Sequence, residues 1–415
     1  MKKPCMAVLA VALPVVLAAC GGSAPTGGGG SSDAAGSGET IKIGSLHPLS
    51  GSSAADGQQM DNGAKLAVEA INDAGGIESM GGAKLELVSG DTQGAPEVGQ
   101  SEAQRLIQEG AVALVGTYQS AVSQNVAAVA ERNQVPFVID VSSADAILQQ
   151  GYKFSFRVQP SSTVLGTQGA DYLAQISDEA GAKPQKVAVL QEQGPFGTAV
   201  TAAFKAEAEA EGMTVDPVIT YDAANVSDFT TQVTAIQAAG ADALVVTGYY
   251  RDGVLAANAV NTVQPDLDVV FGVADGAFDT PQFPGEVGAA GEGYFDANYH
   301  LDATNPDTQA LVADYQSEYG DEMRTAAVLS YESVRVVADA LERAGSSDSA
   351  ELRDAIADTS LESLIASDGP IEFGDTGENE NAAPIVMQVI DGEVKQVYPE
   401  QYAETAPVYP ASPGR

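Results

Sequence analysis

The sequence predicts an α/β protein with two Rossmann-like lobes, in each of which helices flank a parallel sheet. From Ile41 onward, short apolar runs alternate with longer segments of helical periodicity, the pattern typical of parallel sheets. The same alternation begins again near Lys186. The chain of 415 residues is also longer than a single hydrophobic core usually serves. Together these three observations predict two lobes in succession.

The N-terminal segment is predicted to be a signal peptide that ends at a lipid-attachment cysteine. Lys2 and Lys3 precede an apolar run from Met6 to Leu17, which is too short to cross about 30 Å of hydrocarbon as a helix. Small residues then lead to Cys20, and this ending resembles the lipobox of bacterial lipoproteins. Residues 1–19 are therefore predicted to be removed, and Cys20 to carry the lipid. An ordinary signal peptide with an incidental cysteine is the alternative.

Residues 20–40 are predicted to form a flexible linker, because Gly21 to Gly38 is almost wholly Gly, Ser, Ala, Pro and Thr. The predicted lobe 1 comprises residues 41–158 and 297–369, and lobe 2 comprises residues 159–296 and 370–400. Residues 401–415 are predicted to be a C-terminal tail. Three segments would connect the lobes, Arg157–Ser161, Tyr294–Tyr299 and Gly369–Phe373, so that the cleft could close by a hinge motion.

Individual strands and helices follow from the same periodicity. The predicted strands are Ile41–Leu46, Lys84–Val88, Val112–Val115 and Pro136–Ile139 in lobe 1, and Lys186–Leu190, Thr214–Ile219, Ala243–Val246 and Val269–Phe271 in lobe 2. Predicted helices include Met60–Ile71, Gln100–Gln108, Ala121–Asn133, Ala199–Glu211, Val226–Ala239, Val254–Val263, Asp307–Tyr319 and Ala326–Ala344. A hairpin is predicted to turn at Asp391–Gly392.

Charge and composition exclude several classes of function. Lys and Arg number 19 against 57 Asp and Glu, a formal net charge of -38. Nucleic acid is excluded as a partner, and anionic lipid would repel the folded body, so membrane contact is expected only through the lipid anchor. With Cys5 removed and His47 and His300 as the two histidines, we expect no disulfide, metal site, cofactor or catalytic triad.

Several segments resemble the leucine/isoleucine/valine-binding proteins of ABC transporters. The resemblance lies in Ile41–Gly44, Pro48–Gly51, Gly63–Asn72 and Gly75–Ile77, and it continues through Gly151–Arg157 and Gly369–Phe373. It implies a type I periplasmic binding protein fold and a small ligand held by closure of the cleft. It also implies delivery of that ligand to membrane permease subunits by a monomeric protein outside the cytoplasm, on the outer face of the membrane.

The resemblance implies that two loops of lobe 1 hold the carboxylate of the ligand. Ser120 lies in the first loop, and Val141, Ser142 and Ser143 lie in the second. Each loop is expected to lead into a helix N-terminus, where free N–H groups and the helix dipole favour an anion. Capping of the helix by each serine is the alternative for these residues.

The resemblance assigns further site residues to lobe 2. Asp275 matches the acidic residue that holds the ligand's ammonium group, and Tyr249 matches a tyrosine that helps to close the site. Phe196 stands where the family commonly has tyrosine. A second departure is Ala54–Asp56, where the family often has an aromatic residue. Two tyrosines are the candidates to replace that contact, Tyr118 and Tyr250.

The predicted function is capture of a small amino acid or related ligand for import, with branched-chain amino acids favoured. Urea, amides and aromatic acids remain alternative ligands, and sensing of a ligand is an alternative role. An anchored hydrolase is disfavoured, because no Gly-x-Ser-x-Gly motif occurs and neither histidine lies in a recognisable catalytic context.

Overall fold

The computed structural model describes residues 40–412, and none of the helices in that range has the length and apolar character needed to cross a membrane. The strands of this range are β1 Thr40–His47, β2 Lys84–Asp91, β3 Ala111–Gly116, β4 Phe137–Ile139, β5 Ser155–Arg157, β6 Lys186–Glu192, β7 Thr214–Tyr221, β8 Ala243–Gly248, β9 Val269–Asp275, β10 Phe295–Asn298, β11 Ser360–Leu361, β12 Ile371–Glu372, β13 Ile385–Ile390 and β14 Glu393–Tyr398. The α-helices are α1 Ala54–Asp73, α2 Pro96–Gln108, α3 Ser120–Asn133, α4 Ser162–Glu179, α5 Pro195–Ala210, α6 Thr230–Ala239, α7 Tyr250–Val263, α8 Phe283–Val287, α9 Pro306–Tyr319, α10 Thr325–Ala344 and α11 Ser349–Ala357. The predicted signal peptide, Cys20 and almost all of the linker lie outside the described residues.

Two sheets organise the described chain. The first contains five parallel strands in the order β2-β1-β3-β4-β5. The second contains seven strands in the order β14-β13-β10-β9-β8-β6-β7, and the β13–β14 hairpin turns at Asp391 and Gly392, as predicted. We call the parts built on these sheets the first and the second lobe. The α/β fold class with two parallel sheets is confirmed; the second sheet adds an antiparallel edge.

Both sheets are covered by apolar cores on each face. In β3, Val115 faces a core that includes α1 and α10, whereas the neighbouring Leu114 faces a core that includes α2 and α3. In β6, Val189 and Leu190 likewise belong to different cores. Because successive side chains of a strand point to opposite faces, a strand buried on both sides is apolar throughout. Burial of the strands on both faces therefore explains the short apolar runs of the sequence.

The connections between the lobes differ in detail from the prediction. Strand β10 lies in the second sheet, so residues 297–298, which were predicted for lobe 1, belong with the second lobe. Ile371, predicted for lobe 2, is buried in the core of the first lobe. The periodicity of a short strand does not show which sheet it joins, because that depends on pairing with distant strands.

Some elements had no clear pattern in the sequence. Helices α4 and α11 and strand β5 were not predicted, and α6 begins at Thr230, four residues later than expected. The predicted C-terminal tail packs against the second lobe: Ala411 N–H donates to the carbonyl of Asp268 at 2.9 Å, and Tyr409 lies against the core.

Candidate functional site

A small cavity lies where the two lobes meet. Residues at or just beyond the carboxyl ends of β3, β4, β6, β8, β9 and β10 line it, together with one residue of α4. Open α/β sheets usually bind ligands at this edge. The lining residues are Tyr118, Ser120, Val141, Ser142, Ser143, Leu165, Phe196, Gly248, Tyr249, Ala274, Gly276 and Tyr299.

The cavity brings together seven of the nine residues predicted for ligand binding. They come from four separate loops, and they are Tyr118, Ser120, Val141, Ser142, Ser143, Phe196 and Tyr249. The side chains of Asp275 and Tyr250 are not part of this wall. That these residues bind a ligand therefore remains a prediction, whereas their common location in one cavity is a structural finding.

Three serines form one end of the cavity. Ser120 is the first residue of α3, and its hydroxyl oxygen accepts a hydrogen bond from the N–H of Ala144 at 3.2 Å. The Ser142 hydroxyl bonds to that of Ser123, and the Ser143 hydroxyl bonds to that of Ser162 at 2.9 Å. Neither α3 nor the short helix that follows Ala144 has a side-chain cap, so capping is not the role of these serines here.

The second serine loop is held by a buried ionic network. The carboxylate of Asp140 accepts hydrogen bonds from Val141 N–H at 2.7 Å and from Ser330 Oγ at 2.7 Å, and it lies 2.7 Å from His47 Nε2. Burial lowers the pKa of His47, but Asp140 and Asp61 outweigh it and raise the pKa to about 9. His47 is fully buried and does not line the cavity.

Aromatic rings form the opposite wall. The ring centroids of Tyr118 and Tyr249 are 5.3 Å apart, and those of Phe196 and Tyr249 are 5.7 Å apart. Burial raises the pKa of both tyrosines far above its usual range, so they remain neutral. Gly248 precedes Tyr249, and a Cβ there would lie 2.1 Å from the Tyr221 hydroxyl. Glycine is required at this position for the wall to form.

Asp275 lies behind the wall and not in it. The carboxyl group is fully buried, one oxygen accepts from Ala277 N–H at 2.9 Å, and the other has no hydrogen-bond partner among the described residues. Burial raises the pKa of Asp275 well above its usual range and thus favours the protonated form of the group. Ala274 has a φ of 54°, which breaks the regular alternation of the strand just before Asp275. No acidic side chain lines the cavity as a result.

A second small cavity, the distal compartment, adjoins the first. It shares Tyr118, Gly276 and Tyr299 with it, and its further lining residues are Asp56, Asp279, Thr280, Asn298, Arg324, Thr325 and Ala326. Tyr250 lies beside this compartment: its ring centroid is 4.1 Å from Cζ of Arg324, and its hydroxyl donates to Glu286 at 2.6 Å.

Five lining residues were missed in the sequence. Gly248 and Gly276 stand at strand ends, and Tyr299 follows β10, so strand-end position was the signal that could have identified them. Ala274, near the end of β9, shares that position, whereas Leu165 lies within α4 and is an apolar residue without such a signal. Away from the cleft, oxygen atoms of Asp171, Glu207 and Glu211 lie within 4.8 Å of one another, but this arrangement is common in acidic proteins without a metal.

Comparisons with known proteins agree with this architecture. Residues 40–393 match the profile of a family described as periplasmic binding protein. The Leu/Ile/Val-binding protein homolog 8 of Brucella melitensis is 29% identical over 373 residues, which cover 88% of this chain and 91% of the relative.

Solved structures are similar over most of their length. A leucine-binding protein of Thermotoga maritima has a TM-score of 0.75 at 25% identity, covering 86% of this chain and 98% of its own. A solute-binding protein of an ABC transporter from Rhodopseudomonas palustris, crystallised with 3,4-dihydroxybenzoic acid, has a TM-score of 0.74 at 22% identity, with coverage of 86% and 95%. The second likeness shows the fold alone.

Proposed function

The chain belongs to the periplasmic binding protein family, and from that premise we propose that it is the extracytoplasmic solute-binding protein of an ABC importer. In this proposal the monomeric protein captures a small amino acid or related ligand between its lobes and delivers it to the permease subunits. Branched-chain amino acids are the favoured class, because similar proteins include a Leu/Ile/Val-binding protein homolog and a leucine-binding protein.

One observation carries the proposal: the cavity combines a hydroxyl-rich helix start of the first lobe with an aromatic wall to which the second lobe contributes Phe196 and Tyr249. The first N–H groups of a helix have no partners within it, and the helix dipole favours negative charge there. Ser120 at the start of α3, with Ser142 and Ser143 nearby, therefore suits a carboxylate. Tyr249 and Phe196 would close over the rest of the ligand from the second lobe.

An aromatic carboxylate is the second candidate ligand. It is favoured by the three rings of the wall and by the lack of an acidic lining side chain to pair with an ammonium group. The proposal assigns no catalysis to the protein. Ser330 Oγ does lie 3.4 Å from His47 Nε2, next to Asp140, but all three side chains are fully buried, where a substrate has no access.

A thermal-shift screen of amino acids, amides, urea and aromatic carboxylates, followed by calorimetry, tests the proposed function. A ligand that binds only the folded state at 100 times its Kd adds about 2.7 kcal/mol to the free energy of unfolding. We expect α-amino acids to raise the melting temperature, and Ser120→Ala to weaken their binding about tenfold through loss of a hydrogen bond to a charged group.

The exposed Ser101→Ala variant on α2 is the matched control and should bind as the wild type does. Stabilisation by aromatic carboxylates alone would favour the second candidate. If no carboxylic acid in the screen stabilises the protein, the proposed function is wrong.

The proposal includes a lipid anchor at Cys20, which lies outside the described residues. Its support is the sequence of the first 38 residues: a cationic start, an apolar run, small residues before the cysteine and a Gly/Ser-rich segment after it. A ligand-sensing lipoprotein would have the same anchor and cleft, since a fold does not determine the downstream partner. Fractionation of a Cys20→Ser variant tests the anchor.

A further inference from the structure

We propose that the distal compartment is a polar subsite for the ligand's side chain and that it selects a terminal carboxamide over a branched alkyl group. This inference rests on the proposed capture of an amino acid or related carboxylate, and within that function it favours an amide-bearing side chain over the branched-chain class. The geometry that supports it is the contact between the two cavities, which share three lining residues, and the chemistry of the groups at the far end.

The two cavities adjoin at Gly276, which lines both of them. A Cβ at this position would lie 2.7 Å from the backbone nitrogen of Tyr250 and 3.0 Å from the hydroxyl oxygen of Tyr118. Glycine therefore lets the chain segments between the two cavities pack closely, so that only a thin wall separates the cavities. Tyr118 and Tyr299 border both cavities, so a ligand whose carboxylate lies at the serine end has its side chain directed between these rings toward the distal compartment.

Contacts from both lobes fix the far end of the compartment. Arg324 forms a salt bridge with Asp56 of the first lobe. From the second lobe, Gln282 Oε1 accepts from Arg324 Nε at 3.2 Å, and the Tyr250 ring lies 4.1 Å from the guanidinium carbon. Arg324 is 8% exposed, so these contacts hold a buried guanidinium in one place.

The hydrogen-bonding capacity of the compartment is not exhausted by these contacts. Arg324 donates from Nε and Nη1, and no acceptor among the described residues bonds to its Nη2. Asp279 is also buried, and its contact with the amide of Asn298 is long, at 3.4 Å. A branched alkyl group would add no hydrogen bond to the Nη2 of Arg324 or to Asp279, whereas a polar group could bond to both.

The charges of the compartment favour a neutral group. The single guanidinium already faces the Asp56 carboxylate, so a second carboxylate from the ligand would meet a negative neighbour. Burial raises the pKa of Asp279 to about 7 and, against the effect of Arg324, that of Asp56 to about 6. A carboxamide carries no charge, donates through its N–H groups to a carboxyl oxygen and accepts through its carbonyl from a guanidinium.

Four ligands separate this inference from the proposed function. Leucine and asparagine have side chains of nearly the same shape that end in an isopropyl group and in a carboxamide. Their counterparts without the α-amino group are 4-methylpentanoic acid and succinamic acid. Calorimetry with all four measures the effect of the distal group and the effect of the amino group independently.

We expect the carboxamide to bind at least tenfold more tightly than its alkyl counterpart, with or without the amino group. Equal binding, or a preference for the alkyl group, overturns the inference while leaving an amino-acid function intact. If the amino group makes no difference but the carboxamide is preferred, the inference holds and the amino-acid function fails. If none of the four binds, both fail.

A double variant locates the selectivity. Asp56→Leu with Arg324→Met replaces the buried pair by apolar groups of similar size, a change that folded proteins often tolerate. The preference for asparagine over leucine should fall at least tenfold, and an unchanged ratio would contradict the assignment to this compartment. The control is Asp339→Leu with Arg343→Met, an ion pair near the other end of α10, which should keep the wild-type ratio. If the double variant does not fold, the wild-type comparison still decides.

Discussion

Single residues show how a very acidic chain accommodates carboxyl groups in its interior. Glu332 on α10 is fully buried, and one of its oxygens accepts hydrogen bonds from Leu364 N–H and from the Ser363 hydroxyl at 3.1 Å. The other oxygen has no partner among the described residues. Burial raises the pKa of Glu332 from 4.5 to about 7. The protonated form therefore suits the folded protein better than the ionised form.

This shift predicts a pH dependence and its removal by substitution. The folded state binds the proton of Glu332 more tightly than the unfolded state does. Protonation of Glu332 therefore stabilises the folded protein fully below pH 4.5, and this stabilisation is lost as the pH rises through about 7. Glu332→Gln should raise the free energy of unfolding at pH 8 by on the order of 2 kcal/mol, because each unit of pKa shift is worth about 1.4 kcal/mol. Urea unfolding at pH 5 and pH 8 measures this difference.

Glu318→Gln on α9 is the control for this substitution, since Glu318 is exposed and its loss should change neither value much. A Glu332→Gln variant that loses stability to the same extent at both pH values would show that the buried group is ionised in the folded state.

At the scale of elements, close contact between α1 and α10 fixes the far wall of the first lobe. Gly63 of α1 lies so near α10 that a Cβ would approach the Ala327 carbonyl oxygen to 2.1 Å. Helices can approach this closely only where a side chain is missing. This contact also places Asp56, in the first turn of α1, beside Arg324 at the start of α10.

Gly63→Ala should destabilise the protein by about 1–3 kcal/mol, the usual range for overpacking of a well-packed contact. Alanine favours a helix over glycine by about 0.5–1 kcal/mol, so the clash is expected to outweigh the gain in helix propensity. Chemical denaturation gives the change in the free energy of unfolding. Gly285→Ala in α8 is the control, because a Cβ there has no atom within 4 Å; stability equal to that of the control would show that α1 and α10 separate without cost.

At the scale of the whole molecule, charge bears on the proposed attachment to a membrane. With a net charge of -38, the body would be repelled by anionic headgroups, and none of its described helices can cross a membrane. A covalent lipid on Cys20 would provide the attachment that the surface cannot. The segment from Gly21 to Gly38 would then let the body move freely above the permease.

Cys20→Ser should therefore move the protein from the membrane fraction to the soluble or unprocessed fraction of cells that express the full chain. Lipid labelling and fractionation provide the measurement, and Cys5→Ser, within the predicted signal peptide, is the control. Lipid labelling of Cys20→Ser at the wild-type level would contradict the anchor.

Much of this organisation was predictable from the sequence alone. Periodicity identified most of the strands and helices, because alternate burial along strands and the 3.6-residue turn of helices act over a few neighbouring residues. The family resemblance assigned Ser120, Ser142, Ser143 and Tyr249 to one site, and all four line one cavity. The predicted strands and helices depend on local geometry, and the predicted site residues depend on matching segments of the sequence.

Tertiary structure decided the chemistry of the cleft. Asp275 was expected to face the ligand, but the left-handed conformation of Ala274 and the surrounding packing bury its carboxyl group behind the wall. Asp56 and Arg324 are 268 positions apart, and their pairing depends on α1 packing against α10. The sequence by itself thus determined the fold class and the edge of the sheets where a ligand would bind. Long-range packing, which orients each side chain, determined which polar groups reach that edge.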